Sequence, residues 1–153
     1  MRILKITLSP VVLFVAIFCL SACSNRSKEP ANIITDGSGL SIDLKWNTTT
    51  DQVASAVTDL DLDVLNTEGE VLSSYNSNEF EHVDLTNLFA DGTYTIKISL
   101  FEIYKKSHYT LSVKGAMTGK TFSISGFFQD EIQPTVAILK ITKAGDQFTM
   151  ASL

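Results

Sequence analysis

The sequence predicts an all-β fold, an antiparallel β-sandwich of about eight or nine short strands, jelly-roll-like or Ig-like. Three observations carry this. Apolar and polar residues alternate with period two in one short run after another. The runs are rich in Thr, Val, Ile, Phe and Tyr, the residues that pack well on a pleated surface. Turn-forming clusters such as Asn66-Thr67-Glu68-Gly69, Asp91-Gly92 and Ala144-Gly145-Asp146 separate them. From Cys23 onward no segment carries a sustained 3.6-residue period with helix caps.

The runs follow in order. Leu40, Ile42, Leu44 and Trp46 alternate with Ser41, Asp43, Lys45 and Asn47, which puts Trp46 in register with the core. Thr50 to Val57 reads as a helical turn or a loop. Leu60, Leu62 and Val64 alternate with Asp59, Asp61 and Asp63. Past the Asn66–Gly69 turn, Glu70 to Tyr75 resumes, and Phe80 to Leu85 is a further run. Thr93 to Leu100 has a clear period of two, as has Tyr109 to Val113 up to Gly115. Thr121 to Phe128, Val136 to Ile141 and Gln147 to Met150 complete the set. Val136 to Leu139 is apolar on both faces, which suits a central or covered strand.

Ahead of the strands the chain has a different character. Arg2 and Lys5 precede an apolar run from Leu8 to Leu20, and small residues follow it. This is the layout of a secretory signal. The run is roughly 13 residues, short of the roughly 20 needed to span a bilayer as a helix. Leu20-Ser21-Ala22-Cys23 resembles the lipobox of bacterial lipoproteins. The resemblance implies cleavage before Cys23, acylation of its thiol with palmitate or a similar chain, and attachment to a membrane. The expected organisation is a signal peptide over 1–22, a lipidated tether over 23–39 and a β-sandwich over 40–153. Ser24 follows the cysteine, and by resemblance to enterobacterial lipoproteins, in which an Asp there retains the protein at the inner membrane, this implies export to the outer membrane.

Cleavage leaves about 130 residues, one ordinary domain with enough chain for a hydrophobic core. Cys19 leaves with the signal, so Cys23 is the one remaining cysteine and no disulfide forms within the domain. Loss of Arg2 and Lys5 takes the formal charge from −5 to −7. An acidic domain lacks the basic footprint of a nucleic-acid binder. Nor is it drawn to anionic headgroups, which leaves covalent lipid as the tether.

Four groups of residues are candidates for chemistry. On a strand, Asp59, Asp61 and Asp63 share one face at spacings of about 7 Å. Three like charges in a row call for a cation opposite, either Ca²⁺, a hard ion that takes carboxylate oxygens, or Lys45 or Lys97. The EF-hand loop pattern is absent. In Glu79-Phe80-Glu81-His82-Val83-Asp84, His82 and Asp84 share a face, but zinc needs three or four ligands and His108 is the only other histidine. Ser123-Ile124-Ser125-Gly126 is not a nucleophile elbow, and no other spacing suggests catalysis. Phe101, on the polar face of its strand beside Thr95, Lys97 and Ser99, and Tyr104 in the following loop suit sugar stacking or a protein interface.

The succession Leu44-Lys45-Trp46-Asn47, Asp59-Leu60-Asp61-Leu62-Asp63-Val64, Thr67-Glu68-Gly69-Glu70 and Asp91-Gly92-Thr93-Tyr94-Thr95-Ile96-Lys97-Ile98 resembles bacterial pre-peptidase C-terminal-type β-sandwich modules. That resemblance covers about Gly39 to Gly115. It implies a non-catalytic accessory module outside the cytoplasm, of a kind that in some cases holds calcium or binds extracellular polymers. Carried over, Asp59 and Asp61 are the positions to suspect. The tail from Ala116 to Leu153 departs from the pattern, and no enzyme is attached. The expectation is therefore a non-enzymatic binding module for a protein or polysaccharide at the cell envelope, with a calcium-stabilised accessory or structural domain, or else a small envelope enzyme, as the alternatives.

Overall fold

The structure is a computed structural model that describes residues 29–48, 58–76, 79–102, 106–128 and 135–153. Among these there is no helix. Ten strands form two antiparallel sheets: β1 (Ile33–Thr35), β2 (Gly39–Thr48), β3 (Asp59–Asn66), β4 (Gly69–Ser74), β5 (Phe80–Thr86), β6 (Gly92–Glu102), β7 (Ser107–Gly115), β8 (Thr121–Phe128), β9 (Thr135–Ala144) and β10 (Gln147–Ser152). One sheet has the order β1-β10-β9-β6-β3-β4, the other β5-β2-β7-β8. The predicted all-β sandwich is what forms, with one strand more than the alternation pattern reveals. The signal, Cys23, the 50–57 stretch and Tyr104 lie outside the described residues.

The core is built by the period of two. Leu40, Ile42, Leu44 and Trp46 of β2 face Leu60, Leu62 and Val64 of β3 and Tyr94, Ile96 and Ile98 of β6 across the sandwich, all buried. Trp46 keeps its indole satisfied by donating from Nε1 to the Thr58 carbonyl at 2.8 Å. The β9 strand is central, between β10 and β6. Its register against β6 shifts between Ile96 and Lys97, so Leu139 pairs with Ile96 and Ala137 with Lys97. The extra residue is Ile138, and this bulge lets two consecutive side chains, Ile138 and Leu139, both turn inward.

The additional strand is β1. It falls within the tether predicted over 23–39, yet Ile33–Thr35 pairs with Thr149–Gln147 of β10, and Ile34 is fully buried. A strand of three residues is too short for alternation to mark, and its partner lies more than a hundred residues downstream. The fold thus takes up the chain from about Glu29 onward. Lys120 Nζ sits 2.8 Å from Glu29 Oε2 and 2.8 Å from the Pro30 carbonyl. Asp36, 1% exposed, then accepts from the Ser38, Met117 and Thr118 amides and from the Thr118 hydroxyl.

The sandwich has two unlike poles. At the first, short turns at 36–38, 67–68, 87–91, 116–120 and 145–146 connect the strands. At the second, β2, β4, β6 and β8 end and β3, β5, β7 and β9 begin.

Candidate functional site

The aspartate row stands where the alternation puts it. Asp59, Asp61 and Asp63 lie on the outer face of β3, with Leu60, Leu62 and Val64 buried beneath. Asp61 pairs with Ser99 of β6 and Asp63 with Lys97. On the other side, Asp63 pairs with Ser73 of β4. Lys97 is therefore a cross-strand neighbour of the row, as expected. Lys45 is not. It belongs to the other sheet, where it pairs with Phe80 and sits 5.4 Å from that ring.

Phe101 owes its position to a bulge. Against β3, Leu100 pairs with Leu60 and Glu102 with Asp59, so Phe101 is the extra residue of β6. Bulges re-aim side chains, and here the ring stands 76% exposed beside the aspartates. Tyr75 arrives from the end of β4. Its hydroxyl lies 2.8 Å from Asp63 Oδ1 and 3.1 Å from Glu70 Oε2, so one phenolic proton is shared between two acids. Ser99 donates to Asp63 Oδ2 at 3.3 Å. Together Asp59, Asp61, Asp63, Tyr75, Ser99 and Phe101 line an open groove of about 500 Å³ near the second pole.

The electrostatics of the groove are tense. Partial burial, then the neighbouring charges of Asp59, Glu81 and Asp63, push the Asp61 carboxyl up to about 6. For Tyr75, the Ser73 contact pulls the phenol down, but Asp63, burial and Glu70 together outweigh it and push it up to about 12. A cationic group in the groove would relieve the repulsion that raises Asp61, and the two rings offer flat apolar faces beside the carboxylates.

The second candidate, on β5, is a different kind of cluster. His82 Nδ1 is 2.7 Å from Asp43 Oδ1 and Nε2 is 3.3 Å from Asp84 Oδ2. His82 and Asp84 do share a face, and Phe80 stacks beside the imidazole. The Asp43 hydrogen bond, set against partial burial and joined by Asp84, raises the imidazole above its ordinary value. Glu81 faces the other way and is fully buried, held by the Ser74 hydroxyl and by both nitrogens of Asn76. His108 is remote from His82, in contact with Phe127. Among the described residues, no three His, Cys, Asp or Glu side chains come together in a way that would hold a metal ion.

Tyr75 and Glu70 are the site residues that the sequence did not single out. The signal that could have found Tyr75 is the Asn66–Gly69 turn, from which counting back along the hairpin leads to the aspartate row. The register shift between Val64 and Leu65 displaces that count by one residue. No protein-family model matches the chain, and no curated protein or solved structure matches it either.

Proposed function

We propose that this protein is a lipid-anchored, non-enzymatic binding module of the bacterial cell envelope, and that it takes its partner in the acidic, aromatic groove on the outer face of the six-stranded sheet. The observation that carries the reading is the groove itself. An exposed ring set in a bulge, a tyrosine and three aspartates converge on one open concavity. The partner is a protein or polysaccharide segment. Its favoured chemistry is cationic, because only a positive group offsets the charges that push Asp61 up to about 6. The lipobox-like Leu20-Ser21-Ala22-Cys23 supports anchoring, with the outer membrane as the favoured location.

A non-catalytic role is supported by the histidines. Both ring nitrogens of His82 face carboxylates, so neither is free to take a proton from a nucleophile. His108 packs against Phe127.

The test is capture from envelope extract by the acylated protein in detergent, run beside Phe101→Ala and Asp61→Asn. The reading expects a partner held by the wild type, weakened by both variants and released by salt. Equal capture by all three proteins would sink it.

Calcium is the second reading, favoured by the three like charges on one strand face and by the resemblance to pre-peptidase C-terminal-type modules. Ca²⁺ takes six to eight oxygens, so the aspartates would need help from main-chain, water or partner oxygens. A melting midpoint unmoved by millimolar Ca²⁺ would dismiss it.

A further inference from the structure

We infer that the first pole of the sandwich rests on the lipid surface, with Leu88 and Met117 inserted as two apolar prongs; the inference rests on the lipid-anchor reading of Cys23. Large exposed apolar side chains divide between the poles. Tyr75, Phe80, Phe101 and Phe127 stand toward the second, and Leu88 and Met117 stand at turn tips of the first. Leu88 is 96% exposed and Met117 78%. Single exposed apolar residues are ordinary on a soluble protein. What separates these two is their support, their neighbourhood and the place where the chain arrives.

Both turns are built rigidly. Met117 and Thr118 donate their amides to buried Asp36. Asn87, next to Leu88, donates to the Gly37 carbonyl and to Asp146 Oδ1, each at 2.7 Å. Phe89 donates its amide to the Thr86 carbonyl and packs edge-on against Tyr94. The two turns also stand side by side. Thr86 pairs with Gly39 on one side of β2, while Ala116 donates to the Gly39 carbonyl on the other. Two strand spacings, about 10 Å, therefore separate them.

The chain enters the fold at this same pole. Lys120, at the start of β8, holds Glu29 Oε2 and the Pro30 carbonyl. Six residue steps separate Glu29 from Cys23, a reach of at most about 20 Å. An acylated Cys23 therefore keeps the clamp, and the turns beside it, close to the headgroups. Interfacial apolar groups bury themselves at the boundary between headgroups and acyl chains, about 5–10 Å deep for an amphipathic helix, and this is the layer offered to Leu88 and Met117. At this pole Lys120 is paired with Glu29 and Lys143 with Asp91, while Lys114 is set against Asp36 and Asp146, so the described charges offset one another and the contact is apolar, with no dependence on anionic lipid. The groove by Phe101, near the second pole, then lies at the end of the sandwich far from the bilayer.

The experiment uses the full chain, purified from membranes and reconstituted in phosphatidylcholine–phosphatidylethanolamine vesicles. Leu88→Cys, Met117→Cys and Ser125→Cys are each labelled with an environment-sensitive fluorophore. Acylation blocks Cys23, so each protein carries one reactive thiol. All three side chains are exposed, so the fold tolerates the change. The expected result is blue-shifted emission, quenched by a nitroxide lipid, at 88 and 117 and neither effect at 125. Water-like emission at 88 and 117, with mass spectrometry showing acylated Cys23, overturns the inference and leaves the anchor reading standing. A Cys23 peptide without acyl groups overturns the anchor reading and the inference with it.

Discussion

Asp36 Oδ2 accepts hydrogen bonds from both the amide and the hydroxyl of Thr118, at 2.8 Å and 3.0 Å, across 82 residues of sequence. This carboxylate joins the segment that enters the sandwich to the β7–β8 turn. Burial alone would raise it, but the hydrogen bonds from Thr118, Ser38 and Met117 outweigh burial and hold it down at about 2. A depressed carboxylate adds stability above its unfolded value near 3.8 and loses it as pH falls toward 2. Asp36→Ala should cost roughly 2–4 kcal/mol at neutral pH, because it strands several buried donors. The gap from wild type should narrow between pH 4 and pH 2 in urea melts.

Gly115 is tied to the same network by space. A Cβ there would lie 2.3 Å from the Thr118 hydroxyl and 2.8 Å from Asp36 Oδ2. Gly115→Ala should therefore destabilise by roughly 1–3 kcal/mol, the range for overpacking a filled site. Chemical denaturation is the measurement, and a midpoint equal to wild type would contradict the packing described.

Asp61 has the opposite sign. Its folded value near 6 lies above its unfolded value, so its ionisation opposes folding above pH 6, and the opposition fades as pH falls toward 4. Asp61→Asn should raise stability at pH 8 by about 1–2 kcal/mol, allowing for solvent screening. At pH 4 the two proteins should melt together. A variant less stable than wild type at pH 8 would show that the Asp61 charge already has a compensating partner.

His82 is raised by Asp43 and Asp84, so its contribution is present below its unfolded value of about 6.5 and is lost as pH rises through the folded one. His82→Gln should lower the melting midpoint modestly at pH 5.5 and leave it unchanged at pH 9. High salt should shrink the difference at pH 5.5, since the cluster is open to solvent.

Phe101 and Tyr75 should matter for binding and little for folding. Both rings are largely exposed, and Phe101→Ala removes no core contact. The expected outcome is a melting midpoint near wild type with weakened partner capture.

Most strands were legible because alternation is local. In β2, β3 and β6 each inward residue marks itself by its neighbours, and Trp46, Leu62 and Ile98 are buried as that pattern requires. The aspartate row on one face of β3 follows from the same geometry. Strand neighbourhood is not local, and there the sequence was silent. Lys45 and Lys97 looked equivalent as partners for the row, yet pairing puts one on each sheet. The short β1 owes its existence to β10, far along the chain.

By itself, then, the sequence determined the all-β class, the inward and outward faces of most strands and the lipobox-like motif ahead of them. Each depends only on residues within a few positions of one another. Tertiary structure decided which faces meet. It put Tyr75 beside Asp63, used a bulge to set Phe101 at the groove, and tied the arriving chain to the pole that bears Leu88 and Met117. Those are matters of register and crossover between distant segments, fixed by the packing of the whole sandwich rather than by any one stretch.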